Sequence, residues 1–379
     1  MGRFKIEERY DLWKLATFIP NKNIPIHRWF YFKEGFSRDL VELLCKEFKL
    51  NNDKLVLDPF VGSGTTTLTC MELGIRSIGI DASPLAVLVA SAKTRIYSAK
   101  ELTDTLQRLI SSPMKDLSGI DNLSPLTRRA FPPETLKLII SIRNCIKSLD
   151  NPDHRLFFTL CLMNAAMNSS YIHKDGSVVR IVKRPRPSLL KTFKKTANEM
   201  INDVVKARLK TGPAEIYLGD ARRLSQIPEE SIDAIITSPP YLNKIEYTKV
   251  YAVEFDLFIS GHTSSLVRSY IGMTPRDRSD IIIDAGDLPD SAIAYLRDIE
   301  DSLIEMYRVL KKGGRAAIVV AGGVYPDRIV ETDILISEIA EKIGFKVDKI
   351  RFINKRVATT GRIRRIGESR ESILYFTKE

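Results

Sequence analysis

The sequence of 379 residues predicts an α/β fold: a Rossmann-like, mostly parallel sheet with helices on both faces and an inserted lobe that is mainly helical. Short apolar runs alternate with helical patterns near both ends of the chain, which is typical of parallel strands joined by crossover helices. A turn with two glycines separates the first of these runs from the helix that follows. Residues 98–212 break the alternation, because helical periodicity dominates there.

We therefore expect three parts along the chain. Residues 1–97 hold an N-terminal segment and the first half of the sheet, residues 98–212 form the inserted lobe with a basic arm at its end, and residues 213–379 form the second half of the sheet. The chain is long enough for one large α/β domain with such an insertion. Before the first strand, Ser37 is placed to cap a helix over 39–48.

Composition narrows the classes of function. The net charge of +11 indicates either a protein that binds a polyanion or simply a basic protein. No apolar run is long enough to span a bilayer and no signal-peptide pattern occurs, so we expect a cytoplasmic protein without a membrane partner. The four cysteines lack paired spacing and no His, Cys or Asp cluster has ligand spacing. We expect reduced thiols and no bound metal.

The strongest local signal is the stretch Leu55–Thr67, which contains the letters DPFVGSGTT. Its apolar start predicts a strand, and its end predicts a helix. Gly62 and Gly64 allow a sharp turn and a close approach of the backbone to a ligand, because glycine has no Cβ. A second predicted strand ends at Asp81, about 20 residues further on, where a carboxylate suits the hydroxyls of a ribose.

Three ligand chemistries compete for this turn. A phosphate-binding loop would end in Gly-Lys-Ser or Gly-Lys-Thr, and no lysine is present. A dinucleotide-binding turn would have a third glycine where Thr67 stands. S-adenosylmethionine has a ribose but no phosphate, and it is the third option.

A second signal is the tetrapeptide Ser238–Tyr241, which reads SPPY and follows the apolar strand predicted over 232–237. The two prolines stiffen the strand exit and fix the direction of backbone carbonyls. Ser238 offers a hydrogen-bond acceptor and Tyr241 a flat face. Alone, such a tetrapeptide is usually a surface turn. Its place downstream of the glycine turn favours a functional loop.

The two motifs together resemble those of the prokaryotic amino-methylating DNA methyltransferases, most closely the N4-cytosine type, in which the Ser form of the second motif is commonest. The resemblance covers roughly residues 24–97 and 214–376. It implies a class I methyltransferase sheet, S-adenosylmethionine as cofactor, and methyl transfer to the amino group of a flipped base, most simply N4 of cytosine in DNA. RNA cytidine and N6 of adenine in DNA stay open as substrates. The chain departs from many Ser-type members, because the glycine motif precedes SPPY.

The resemblance also assigns roles to residues. The catalytic set is Ser238, Pro239, Pro240 and Tyr241. The cofactor-binding set is Asp58, Pro59, Phe60, Gly62, Gly64, Thr65, Thr66, Asp81, Asp220 and Ala221. Ser238 and the Pro239 carbonyl would accept hydrogen bonds from the amino group, and Tyr241 would stack on the base. Asp81 would bind the ribose and Asp220 would lie near the adenine. Trp29, Phe30 and Gly35–Ser37 resemble a segment that closes over the methionine end of the cofactor.

The nucleic-acid contacts are predicted less directly. Asn243 and Tyr247 follow SPPY and are candidates for the base pocket, or for capping and core positions. Arg184 and Arg186 lie in a basic run over 178–195 that two prolines make extended. Arg364 and Arg365 lie in a second basic loop. Either region contacts phosphates or is simply solvated. No oligomeric state is predicted.

Overall fold

The computed structural model describes residues 3–32, 35–111, 116–175, 178–207, 209, 214–242, 247–259, 271, 281–284, 286–360 and 364–379. Its strands are β1 (Ile6–Glu8), β2 (Leu55–Asp58), β3 (Arg76–Asp81), β4 (Ile172–Asp175), β5 (Val178–Ile181), β6 (Ala214–Leu218), β7 (Ile232–Thr237), β8 (Leu310–Ala321), β9 (Gly323–Val324), β10 (Ile329–Val330), β11 (Phe345–Thr360) and β12 (Arg364–Lys378). Its α-helices are α1 (Arg38–Glu47), α2 (Thr65–Leu73), α3 (Pro84–Lys93), α4 (Ala99–Ser111), α5 (Pro125–Arg129), α6 (Pro133–Lys147), α7 (Pro152–Asn168), α8 (Leu189–Lys206), α9 (Tyr247–Val250), α10 (Ala252–Phe258), α11 (Asp290–Val309) and α12 (Thr332–Ile343).

Within the described residues, eight strands form one sheet in the order β1-β11-β12-β8-β7-β2-β3-β6. The five strands from β8 to β6 pair in parallel, whereas β12 runs antiparallel to both of its neighbours. The chain builds outward from β2 to β3 and β6, then returns to β7 on the other side of β2. The loops after β2 and β7 therefore meet at a topological switch point, where open α/β sheets bind ligands. The predicted Rossmann-like α/β fold is confirmed.

Alternate residues of the strands point to two different cores. Val56 of β2 and Ala234 of β7 pack with α1, while the next residues, Leu57 and Ile235, pack with α11 and α12 on the opposite face. Central strands buried on both faces are expected of a parallel sheet covered by helices. At the start of α1, Ser37 accepts a hydrogen bond from the backbone N–H of Leu40 (3.2 Å), as the sequence predicted.

The inserted lobe lies between β3 and β6 and consists of α4 to α8 with the hairpin β4–β5. Its core continues into α3 and includes Trp29 and Phe30 from the N-terminal segment, which we define as residues 24–32 and 35–37. The lobe therefore shares one core with the cofactor half of the sheet. The division at 98 and 212 remains a prediction.

The basic run over 178–195 is less extended than predicted. β5 ends at Ile181, and only residues 182–188 are irregular. The lysines of the run from Lys191 to Lys195 therefore lie on α8. Pro185 and Pro187 restrict the backbone only near themselves. Beyond them, Leu189 and Phe193 are buried on one side of a helix and stabilise it by packing.

A second correction concerns residues 311–314, whose letters KKGG predict a C-terminal stop for the preceding helix. Instead α11 ends at Val309 and these residues belong to β8. The pairing of β7 with β8 shifts register between Ile232 and Ala234, and Gly313 has a φ of 74° beside this shift. The glycines therefore serve a β-bulge rather than a helix cap.

The four cysteines, Cys45, Cys70, Cys145 and Cys161, are free thiols. Among the described helices, none is both long and apolar enough to cross a membrane.

Candidate active site

The glycine turn between β2 and α2 is held in a conformation that needs its glycines. Gly62 and Gly64 have φ values of 51° and 78°, in the left-handed region that other residues adopt at a cost. A Cβ on Gly64 would lie 3.0 Å from the Cα of Ala90, and one on Gly62 would lie 3.3 Å from the ring of Phe32. The turn therefore packs closely on α3 on one side and on the N-terminal segment on the other.

Asp81 closes this turn at the end of β3. Its Oδ2 accepts a hydrogen bond from the Gly62 N–H (2.9 Å), and its Oδ1 accepts one from the Ser83 N–H (2.8 Å). Burial raises the pKa of the Asp81 carboxyl to about 6, against the effect of these two bonds. Each carboxylate oxygen retains a second lone pair, so the pair of oxygens can also accept bonds from two ligand hydroxyls.

A cavity lies beside this turn, at the carboxyl ends of the strands. It is lined by Phe32, Pro59, Phe60, Gly62, Asp81, Ser83, Asp220, Ala221, Ser238, Pro240 and Tyr251, among others. The lining combines aromatic faces, a close backbone at Gly62 and the Asp81 carboxylate. Those features suit a ligand with a planar base and a ribose.

A smaller cavity adjoins it and leads to the N-terminal segment. Its lining includes Gly35, Phe36, Asp58, Thr65 and Pro239, while Phe32, Phe60, Gly62 and Ser238 line both cavities. The N-terminal segment thus reaches the turn through Gly35 and Phe36, which belong to the predicted set, and through Phe32, which does not. Trp29 and Phe30 are buried against the lobe and line neither cavity, because their large apolar rings complete the lobe core.

Asp58 joins the glycine turn to the SPPY loop. It is 2% exposed, and its Oδ1 accepts bonds from the Thr237 hydroxyl (2.6 Å) and from the Phe60 N–H (3.1 Å). Burial raises the pKa of Asp58 to about 6, and the bond from Thr237 opposes that shift. Thr237 is a functional residue that the sequence motifs do not include. The available signal was its position directly before Ser238, at the end of β7.

The SPPY loop lies at the junction of the two cavities. Ser238 lines both, Pro239 lines the smaller and Pro240 the larger. The Ser238 hydroxyl donates its proton to the Val319 carbonyl (3.0 Å). Since a hydroxyl has one proton and two lone pairs, this bond leaves the oxygen as an acceptor towards the cavities.

Tyr241 is placed differently from the rest of its motif. The residue is 8% exposed, and its hydroxyl donates to Oε1 of Glu371 on β12 (3.0 Å). It lines neither of the two cavities. Stacking of Tyr241 on a base therefore stays a prediction, and in this conformation the ring is buried under the loop.

Asp220 lies in the larger cavity with its carboxylate already bound. Its Oδ1 accepts from Nε of Arg222 (3.0 Å) and its Oδ2 accepts from a terminal nitrogen of the same guanidinium (2.6 Å). Arg222 also donates to Asp298 of α11 (2.8 Å), and these bonds raise its pKa above the ordinary value. Arg222 thus fixes the orientation of Asp220, a role that the sequence analysis did not assign.

Of the other candidates, Gly64 and Thr66 are buried behind the turn, and the Thr66 hydroxyl donates to the Ile236 carbonyl (3.3 Å). Asn243 lies outside the described residues, as do the side chains of Tyr247 and Arg364.

The basic candidates lie away from both cavities. Arg184 is exposed, and no described carboxylate pairs with it or with Arg186. Arg365 pairs with Glu368 (2.8 Å). Within the described part of the chain, no three His, Cys, Asp or Glu side chains are grouped to hold a metal ion.

Comparison with known proteins decides the family. A family model described as DNA methylase, for N6 and N4 methyltransferases, matches residues 5–91 and 232–379. The chain belongs to this DNA methylase family. The match comprises both loops of the switch point and leaves out the inserted lobe. The methylase uses S-adenosylmethionine, and the larger cavity, with Asp81 and the close backbone of Gly62, fits that cofactor.

Curated relatives extend over most of the methylase. It is 27% identical over 427 residues to the type II methyltransferase M.BsoBI of Geobacillus stearothermophilus, which covers 90% of this chain and 83% of the relative. It is 28% identical over 403 residues to M.AvaI of Nostoc, covering 89% and 82%. A shorter match, 40% over 86 residues, joins 23% of the chain to M.MjaII of Methanocaldococcus jannaschii.

Solved structures are more distant. A TehB-like methyltransferase from Corynebacterium glutamicum has 12% identity and a TM-score of 0.32, covering 89% of this chain and 88% of that one. A protein from Galdieria sulphuraria, proposed to be a sarcosine dimethylglycine methyltransferase, has 8% identity and a TM-score of 0.35. The match covers 90% of this chain and 85% of that one. The fold of the methylase rests on its own strand order.

Proposed function

We propose that this methylase transfers a methyl group from S-adenosylmethionine to the exocyclic amino group of a base in DNA, and that the base is cytosine, modified at N4. One observation carries the proposal: Ser238 and Pro240 line the same cavity as Gly62 and Asp81. A cofactor on the glycine turn and an amino group on the SPPY loop would then face each other. The relatives named type II methyltransferases support DNA as the polymer.

The side chains of the site act by orientation. The cofactor supplies an electrophilic methyl group when it is bound. Asp81 accepts hydrogen bonds from the ribose and fixes the cofactor along the strand ends. The Ser238 oxygen and the Pro239 carbonyl accept hydrogen bonds from the two amino N–H groups, which directs the nitrogen lone pair towards the methyl carbon. One of the two amino protons leaves to solvent once the nitrogen carries the methyl group. Holding two reactants in line in this way supplies a large part of the rate enhancement.

The base has to leave its stack to reach this loop. Ser238 is only partly exposed and Pro239 is buried, so a base inside a duplex cannot contact them. Enzymes that modify a base chemically extrude it into a pocket. No covalent intermediate is needed, because an amino nitrogen is itself the nucleophile.

Cytosine is favoured over adenine by Ser238, the residue that distinguishes the commonest N4-cytosine form of the motif. Mass spectrometry of nucleosides tests this choice. The methylase is incubated with S-adenosylmethionine and either unmethylated genomic DNA or total RNA. We expect N4-methyldeoxycytidine from DNA. N6-methyldeoxyadenosine, or a product from RNA alone, would contradict the proposal.

The Ser238→Ala variant tests the loop. We expect kcat to fall about 100-fold, since the amino group loses an orienting acceptor, while calorimetry shows unchanged cofactor affinity. Ser369→Ala is the matched control, because the Ser369 hydroxyl also donates to a backbone carbonyl, that of Gly322 (3.1 Å), but Ser369 lines neither cavity. Equal losses in both variants would point to a structural effect.

A further inference from the structure

A second cleft, of about 560 Å³, lies between the N-terminal segment, the lobe and α10. Its size is that of a ligand pocket rather than of a packing defect. Tyr251 lines both this cleft and the cofactor cavity, so the two are neighbours. No residue of 238–241 lines the cleft. A molecule bound there is therefore not the methyl acceptor.

The floor of the cleft carries an unsatisfied carboxylate oxygen. Glu254 of α10 is 2% exposed, and its Oε1 accepts a bond from the Lys174 ammonium of β4. Its Oε2 is buried, and no described residue donates to it. A buried acceptor without a donor costs free energy and is rare in native proteins. The oxygen therefore points to a ligand that supplies an N–H or O–H group.

The walls restrict the chemistry of that ligand. Tyr31, at the rim, is 52% exposed, and Tyr251 presents a ring that stacks on Phe32 with 5.8 Å between centroids and 12° between planes. Asn164 and Thr196 add neutral polar groups. The Lys174 ammonium lies 4.3 Å from the Tyr251 centroid and disfavours a cationic ligand, whereas Glu254 disfavours an anionic group at the floor.

Other charges of the cleft are already paired. Arg28 donates two bonds to Asp203, at 2.8 and 2.7 Å. What remains is a cleft with aromatic walls, of which the Tyr31 ring is the most exposed, and one strong acceptor. A nucleobase has a π-face for the aromatic rings, and a carboxylate is a fitting acceptor for an exocyclic amino group.

We propose that this cleft binds a nucleobase with an exocyclic amino group, which donates a hydrogen bond to Oε2 of Glu254. Cytosine, adenine and guanine have such a group and thymine has none. The base belongs either to a nucleotide of the bound DNA other than the methylated one, which rests on the proposed function, or to a free nucleotide. The chemistry of recognition is the same for both sources.

The first measurement uses free nucleotides and needs no methyl transfer. Calorimetry of the full chain compares dCMP, dAMP and dGMP with TMP. We expect the wild type to bind the three amino-bearing nucleotides more tightly than TMP. In Glu254→Gln the amide oxygen faces Lys174 and the NH₂ group faces the base, so this preference disappears, with about a 10-fold or greater loss of affinity for dCMP.

Two further variants keep the test decisive. Glu300→Gln is the matched control, because Glu300 is also a buried glutamate with a cationic partner, but both of its oxygens have donors, Arg297 and the Ile282 N–H. Thr196→Trp fills the cleft and keeps the Glu254 carboxylate, so it should block binding even if Glu254→Gln unfolds. Thermal melting identifies any variant that has lost its fold.

The second measurement determines the source of the base. If Glu254→Gln raises the KM for DNA while cofactor affinity is unchanged, the base comes from the DNA. If only free-nucleotide binding changes, the ligand is a free nucleotide. If wild type, Glu254→Gln and Thr196→Trp behave alike in both measurements, the proposal is wrong. A wild type that methylates no DNA but still prefers dCMP to TMP would overturn the proposed function and leave this site standing.

Discussion

Two carboxylates at strand ends, Asp58 and Asp81, are held by hydroxyl and backbone donors: Thr237 and the Phe60 N–H for Asp58, and the Gly62 and Ser83 N–H groups for Asp81. For both, burial raises the pKa to about 6. They therefore change charge within the range in which enzymes are assayed. Asp58 joins the two loops of the site, and Asp81 holds the glycine turn.

Cofactor affinity should depend on pH through Asp81. As the pH falls through about 6 the carboxylate gains a proton, and a neutral carboxyl accepts a ribose bond more weakly than an ionised one. Affinity for S-adenosylmethionine should therefore be about tenfold lower at pH 5 than at pH 7, as measured by calorimetry. Asp81→Asn, which cannot titrate, should bind weakly throughout with a flatter profile. A wild type with the same affinity at both pH values would show that Asp81 does not contact the cofactor.

Thr237→Val tests the link between the loops. The substitution keeps the shape of the side chain but removes the 2.6 Å donor of the buried Asp58 carboxylate. We expect a loss of about 1–3 kcal/mol in the free energy of unfolding, measured by urea denaturation, and a fall in kcat that exceeds any change in KM for the cofactor. Thr103→Val is the control, since its exposed hydroxyl donates only within α4. Equal stability of the two variants would contradict the role of the link.

Among single residues, the sequence predicts those whose partners lie nearby along the chain. Gly62, Gly64 and Asp81 are close along the chain, so their spacing carries the information. Thr237 and its partner Asp58 are 179 positions apart, and Arg222 bridges Asp220 to a helix 76 positions away. Without coordinates, nothing in the sequence joins such pairs. The same holds for Tyr241, whose partner Glu371 lies on the last strand.

At the scale of elements, the sequence predicted which segments are strands and helices better than where they end. Periodicity marked α1, α2 and the strands around them. It failed where the neighbouring strand decides the structure. Residues 311–314 join β8 through a bulge against β7. Arg364 and Arg365, predicted in a basic loop, instead begin β12, which pairs with β11 along its whole length. Sheet pairing is a long-range property, and local propensity does not contain it.

Among the contacts between elements, we expect the docking of α8 on the N-terminal segment to contribute most to stability. Asp203 is 1% exposed and accepts bonds from Arg28 (2.8 and 2.7 Å), from the Trp29 indole N–H (3.1 Å) and from the Ile26 N–H (3.4 Å). Ile26 has a φ of 63°, which is strained for a β-branched residue. The carboxylate thus holds a strained turn against the lobe.

We expect Asp203→Ala to lower the free energy of unfolding by about 3 kcal/mol, since it leaves buried donors without an acceptor. Limited proteolysis should then cut the chain within 24–32 before the fold as a whole is lost. Asn202→Ala, an exposed neighbour on the same helix, is the control and should leave both readouts unchanged. Resistance of the Asp203 variant to proteolysis would mean that core packing alone holds the segment.

For the molecule as a whole, the strand order explains why two distant motifs form one site. The chain leaves β2 in one direction and returns to β7 in the other, so the ends of those strands adjoin although residues 98–212 lie between them in sequence. The order of the motifs, glycine turn before SPPY, therefore has no effect on their meeting. What the sequence did not contain is the position of the lobe, which covers α3 and forms a cleft beside the cofactor cavity.

The net charge of +11 over the whole chain raises the question of which arginines contact the phosphates of DNA. Arg184 and Arg186 lie between β5 and α8 without a described acidic partner, whereas Arg365 is paired with Glu368. An arginine free of an acid can bind a phosphate and release a counterion, and each such contact contributes about −0.9 to the slope of log K against log salt for duplex DNA. The double variant Arg184→Gln, Arg186→Gln should therefore reduce that slope by about 2 in fluorescence anisotropy with a non-specific duplex.

Arg365→Gln should change the slope by less than about 1, because Glu368 already neutralises the side chain. Lys46→Gln, whose ammonium is paired with Glu42, should leave it unchanged. If the larger change follows Arg365→Gln, the hairpin β11–β12 rather than the segment before α8 contacts the DNA backbone.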